Sequence, residues 1–154
     1  MDNPPWWLRL AYAIRSMQKP TDPPDQPPIV QAPAEDPRLL AATRIAKSQF
    51  PVFLTAYAKR SEDERFAVKV AVPYGPEEDS GAEHMWFIVQ TIQQGWIVGA
   101  ADADAPLAGV RAGDLVKIKP SEVEDWLATR PDGTTLGGFS ILALAKIHAE
   151  KASE

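Results

Sequence analysis

The placement of proline constrains this chain more than any other feature. Most of its 15 prolines fall before Arg38, and from Pro20 to Pro33 the sequence runs PTDPPDQPPIVQAP. Such a stretch has few side chains to bury and many residues that cannot donate a backbone hydrogen bond. It reads as a stiff linker of polyproline II type, which at about 3.1 Å per residue reaches roughly 40 Å. The chain therefore divides into an N-terminal segment, residues 1–19, a proline-rich linker, residues 20–36, and a single folded domain, residues 37–154. A chain of 154 residues supports one real core and not two.

The N-terminal segment has a helical pattern. Trp7, Leu10, Ala11, Ile14 and Met17 recur at spacings that gather them on one face, Asn3 is suited to the N-cap, and Pro4 suits the first helical position. A helix this short is marginal alone in water, so its apolar face, with Trp6 beside it, calls for a surface. Its own domain, a second copy of the chain, a partner's groove and a membrane surface are the four candidates, the membrane being the weakest.

After Asp36 the signals are those of a packed domain. Asp36-Pro37 pairs a cap with a permitted proline, predicting a helix to about Lys47. Ser48 and Pro51 mark a restart, with Phe50, Phe53, Leu54 and Tyr57 as the next apolar stripe. The period then changes to two: Phe66, Val68, Val70 and Val72 alternate with Arg65, Ala67, Lys69 and Ala71. Further strands are predicted over residues 84–93, apolar on both faces and hence central, and over 96–100, 114–119 and 123–129. Gln94-Gly95 makes a hairpin turn. A helix over about 139–150, with the stripe Ile141, Leu144, Ala145 and His148, closes the chain. Connections this short imply antiparallel pairing. The expected architecture is α+β: a curved antiparallel sheet of about five short strands with helices against one face.

Composition removes several functions. The chain has no cysteine, which excludes disulfides, thiol nucleophiles and cysteine zinc sites. A net charge of −5, without basic tracts, disfavours nucleic acid as a partner. No apolar run approaches the roughly 20 residues of a membrane span, and Asp2, Arg9 and Arg15 spoil any signal-peptide pattern. A cytoplasmic location is the resulting expectation.

Four blocks carry a family resemblance: FAVKVAVP at Phe66–Pro73, EHMWF at Glu83–Phe87, GDLVKIKPSEVEDW at Gly113–Trp126 and GGFSI at Gly137–Ile141. In order and spacing they resemble the YegJ-like bacterial domain of unknown function, over residues of about 66–144. The family tends to have an Asn-Asp-Pro-like turn where this chain has Asp102-Ala103-Asp104-Ala105-Pro106. The resemblance implies a compact bacterial domain built from these blocks and brings no catalytic residues with it.

The residues themselves offer few reactive constellations. His84 could act as a general base or metal ligand with Glu83, Asp79 or Asp102. Yet Glu83 and His84 are neighbours on a strand and point to opposite faces, and a structural role for His84 with Trp86 in the core competes. Asp102 and Asp104 form an Asp-x-Asp pair that more often caps turns than holds a cation. Trp126 can anchor a core or an interface, while Asp125, on the opposite face, can pair with Lys117, Lys119 or a partner's cation. Gly137-Gly138 either offers amides to an anion or makes a sharp turn. Ser140 has no histidine evident beside it.

No metal or cofactor is assigned, and no catalytic set. The favoured reading is a non-catalytic protein-binding or adaptor domain that neutralises or escorts another bacterial protein. Its expected contact residues are Trp6, Trp7, Leu10, Ile14, Glu83, His84, Trp86, Asp125 and Trp126, and self-association is compatible with it. The alternative is a small enzyme using His84 and carboxylates on a small molecule. It requires a polar pocket holding His84 and at least two of Asp79, Glu83, Asp102 and Asp104.

Overall fold

A computed structural model describes residues 36–76 and 81–153. The expected N-terminal helix, nearly all of the linker and Asp79 lie outside the described residues. Asp36 caps the first helix as its sequence suggests: its carboxylate accepts the Arg38 amide at 2.9 Å, and Pro37 occupies the first turn. This helix, α1 (Pro37–Ser48), buries Ala42 and Ala46, whose small side chains four residues apart bring it close to its neighbours. Gln49 interrupts it, and α2 (Phe50–Ala58) drives Phe53 into the core with no exposure.

Six strands follow: β1 (Arg65–Tyr74), β2 (Gly81–Gln93), β3 (Trp96–Ala101), β4 (Leu115–Ile118), β5 (Val123–Thr129) and β6 (Thr135–Gly137). They form one open antiparallel sheet in the order β4-β3-β2-β1-β5-β6. The fold is α+β. β6 is the strand that periodicity missed, because three residues between two turns show no alternation. The Gln94-Gly95 hairpin does form, with φ of 51° and 79°, the paired positive values of a type I′ turn.

The two sheet faces are unequal. The inner face carries Phe66, Val68, Val70, Met85, Phe87, Ile97, Ile118, Val123 and Trp126, packed against Ala46 and Phe53 from the helices. Phe53 lies 5.7 Å from the Phe66 ring, edge-on, and 5.6 Å from Trp126. The outer face has a much smaller buried cluster of Ala67, Trp86 and Leu127, covered in part by Ile141.

The last helix, α3 (Phe139–Ala152), buries Ser140, Ala143 and Ile147 instead of the full expected stripe of Ile141, Leu144, Ala145 and His148. Its start accounts for the rotation. The helix begins beyond the end of β6, at the free edge of β5, and a buried carboxylate there recruits Ser140. Phe139 then packs edge-on against Trp126 at 5.7 Å, and the helix runs on over α1.

Gly137 makes this junction. Its φ is +85°, and a Cβ there would sit 2.2 Å from the Trp126 carbonyl oxygen and 2.6 Å from the indole ring. Both the backbone conformation and the space favour glycine. Substituting Gly137→Ala should therefore cost about 2–4 kcal/mol through combined strain and overpacking, read as a lower denaturant midpoint. An unchanged midpoint would show that the chain relaxes around the extra methyl.

Candidate functional site

Strand alternation sends Asp125 and Trp126 of β5 to opposite sides, and each fixes a different helix. Trp126, 1% exposed, donates its indole N–H to the Ala46 carbonyl of α1 at 2.9 Å. Asp125, also 1% exposed, accepts four hydrogen bonds: from the amides of Trp126 (2.8 Å), Phe139 (3.2 Å) and Ser140 (2.8 Å), and from the Ser140 hydroxyl (2.6 Å). The N-cap position of α3 is Gly138, which has no side chain, so a carboxylate from β5 serves in its place. The negative charge also lies at the positive end of the helix dipole.

Lys69 on β1 stands directly opposite Asp125 in register and is half-buried. Burial lowers the pKa of its ammonium group, while the charges of Asp125 and Glu124 act the other way. For Asp125 burial is the largest effect and raises the carboxyl above the ordinary range, against its hydrogen bonds from Ser140 and Trp126 and the charge of Lys69.

A second polar pair extends this row along the outer face. His84 Nδ1 lies 2.7 Å from a Glu124 carboxylate oxygen. The two residues reach each other across β1 because the β1–β5 register shifts between Lys69 and Val70, which inserts Glu124 as an extra residue opposite β1. His84, Glu124, Lys69, Asp125 and Ser140 thus share one neighbourhood that their spacing along the chain did not reveal. Neighbouring acids on a strand ordinarily diverge, so nothing in the Glu124-Asp125 pair signalled a shared face.

The other candidates are dispersed. Glu83 follows strand alternation to the side opposite His84. Asp104 accepts the Ala112 amide at 2.8 Å, and Asp114 accepts the Arg111 amide at 2.9 Å, so these loop acids hold turns. Asp102 is half-buried, and its amide bonds the Trp86 carbonyl. The carboxylate beside His84 is Glu124 and none of the described acids expected there. Among the described residues no three of His, Cys, Asp or Glu are grouped to hold a metal ion. His84 lines neither the groove between α2 and β5–β6 nor the recess beside Arg60 and Gln90. Trp86 (7% exposed), Asp125 and Trp126 are committed to the interior, while His84 is exposed. Trp6, Trp7, Leu10 and Ile14 lie outside the described residues.

What the outer face does present is apolar. Register places Leu115, Ala100 and Ile88 in one row across β4, β3 and β2, with Val98 and Trp96 beside them on the same face. Leu115 is 66% exposed and Trp96 38%. The Lys119 ammonium lies over the Trp96 ring at 5.7 Å, and Lys117 stands opposite Val98.

Two outcomes follow for Asp125. Replacing it with Ala should lower stability by about 2–4 kcal/mol, because buried amides lose their acceptor. Asp125→Asn isolates the titration. The folded carboxyl is raised above the unfolded value of about 4, so between the two values the folded state holds the extra proton and stability falls as pH rises. The unfolding free energy of the native protein minus that of Asp125→Asn should therefore decrease through that window. A difference that does not change with pH would contradict this.

Residues 36–154 match the family model described as an uncharacterised protein conserved in bacteria, DUF2314. The chain is also similar to the uncharacterised protein YegJ of Escherichia coli (strain K12), with 31% identity over 102 residues. That match covers 65% of this chain, and the chain spans 62% of the length of this curated relative. No solved structure matches. No helix among the described residues is long and apolar enough to cross a membrane. With its whole described domain inside the matched region, the chain belongs to the DUF2314 family of uncharacterised bacterial proteins.

Proposed function

We propose that this is a non-catalytic protein-binding domain whose contact surface is the uncovered half of the outer sheet face. The observation that carries the reading is the row Leu115–Ala100–Ile88 with Val98 and Trp96, apolar and partly exposed on β2–β4. Exposed apolar surface of this kind, with a tryptophan in it, is typical of contact sites. Lys117 and Lys119 border it, so the fitting partner is a protein with an apolar patch edged by acidic side chains. β4 is also a sheet edge, and its backbone can extend pairing to a partner strand. Neutralising or escorting another bacterial protein is a role such a surface would serve.

Trp96→Glu and Leu115→Glu place charge on this face without disturbing the inner core. A protein that co-purifies with the native chain should be lost from both variants, with the unfolding midpoints preserved. Retention of that protein by both variants, or a native chain that purifies alone from its own bacterium, would contradict the reading.

The alternative, a small carboxylate- and histidine-dependent enzyme acting on a small molecule, loses Glu83 and Asp104, which are turned elsewhere, and rests instead on the 2.7 Å contact between His84 and Glu124. A carboxylate on Nδ1 orients an imidazole and leaves Nε2 to exchange a proton. This reading expects a small molecule that shifts the His84 ring resonances, an effect reduced by Glu124→Gln. Ligands that shift Trp96 and leave His84 unmoved would oppose it.

A further inference from the structure

A groove of about 460 Å³ lies on the helical side of the sheet, where α2 passes the β5–β6 edge. Val52, Ala56, Ala128 and Leu136 make it largely apolar, and Val52 is 45% exposed. Lys59 and Arg130 add two positive charges and Glu64 one negative. Neither cation lies within ion-pair distance of another described residue, although the charge of Arg130 acts on the carboxylate of Asp132. The groove is thus apolar with a net positive lining, and no part of the proposed contact face contributes to it.

The chain carries a segment of matching chemistry, Pro20–Pro27, PTDPPDQP. A polyproline II helix has three residues per turn and a rise of 3.1 Å, so residues three apart align about 9 Å from each other on one edge. On that geometry Asp22 and Asp25 share one edge, Pro20, Pro23 and Gln26 a second, and Thr21, Pro24 and Pro27 the third. The acidic edge and the adjoining Thr21, Pro24 and Pro27 edge complement a largely apolar groove with two cations in its lining, and leave the Gln26 edge turned to solvent. A proline-rich segment also gives up little conformational entropy on docking.

The tether is long enough. Nine steps separate Pro27 from Asp36, the cap of α1, and at about 3.1 Å each they span roughly 28 Å. The 12 residues of α1 rise about 18 Å, and the groove begins at Pro51, three residues after that helix ends.

We propose that residues 20–27 of this chain dock in the α2/β5–β6 groove, with Asp22 and Asp25 paired to Lys59 and Arg130. The docked linker tethers the N-terminal segment to the helical side of the domain and leaves the outer sheet face open.

Because the chain lacks cysteine, Gln26→Cys gives a single attachment point for a nitroxide on the full-length protein. Paramagnetic broadening of the Val52, Ala56 and Leu136 amides is the expected result in dilute solution. Lys59→Glu with Arg130→Glu should abolish it, and adding Asp22→Lys with Asp25→Lys to that pair should restore it. Absence of broadening in the native background overturns the proposal, and so does broadening that survives the charge reversal at 59 and 130. Broadening seen when spin-labelled chains are mixed with isotope-labelled chains lacking the nitroxide would assign the groove to a second copy, which also overturns it. None of these results depends on Trp96 or Leu115, so failure here is distinct from failure of the proposed contact face.

Discussion

A carboxylate buried between a strand and a helix sets the geometry of this domain. Asp125 takes the place of the missing side-chain cap on α3, and its neighbour Trp126 grips the Ala46 carbonyl of α1. One dipeptide of β5 thereby positions two helices, because adjacent strand residues point in opposite directions. Burial of a charge is costly unless its hydrogen bonds are satisfied. The four donors on Asp125 meet that condition, and the charge of Lys69 acts in the same direction. Gly137 and Gly138 belong to the same device, since only a chain without Cβ atoms can pass the Trp126 carbonyl and turn into the helix there.

This arrangement also decides which surfaces are left open. α3 starts at the β5 edge and turns over α1, covering the outer face only as far as Ile141 reaches. The β2–β4 half of that face keeps Trp96 and Leu115 exposed beside Lys117 and Lys119. The polar row of His84, Glu124 and Lys69 borders the covered half. An exposed apolar area and a polar pair therefore sit on the same side of the sheet, and the apolar area is the more developed of the two.

Periodicity made much of this fold legible. The alternation of Phe66, Val68, Val70 and Val72 is the inner-face row, and Asp36-Pro37 and Gln94-Gly95 are the cap and turn that their chemistry implies. Strand alternation also separated Glu83 from His84 correctly. Local pattern failed where long-range geometry takes over. β6 is too short to show a period, and the α3 stripe is rotated by a carboxylate located 15 residues earlier in the chain. The His84–Glu124 contact depends on a register shift between β1 and β5, which leaves no mark in either strand's sequence. The site was accordingly less legible than the fold, and Glu124 and Lys69 emerge only from the register.

Native-state hydrogen exchange at the Phe139 and Ser140 amides tests the central claim most directly. Amides in the first turn of a helix ordinarily lack intrahelical acceptors and exchange readily. If Asp125 holds them as described, both should exchange only through global unfolding, with protection equal to that of core amides such as Val68 and Phe87. Rapid exchange through local fraying of α3 would contradict the account.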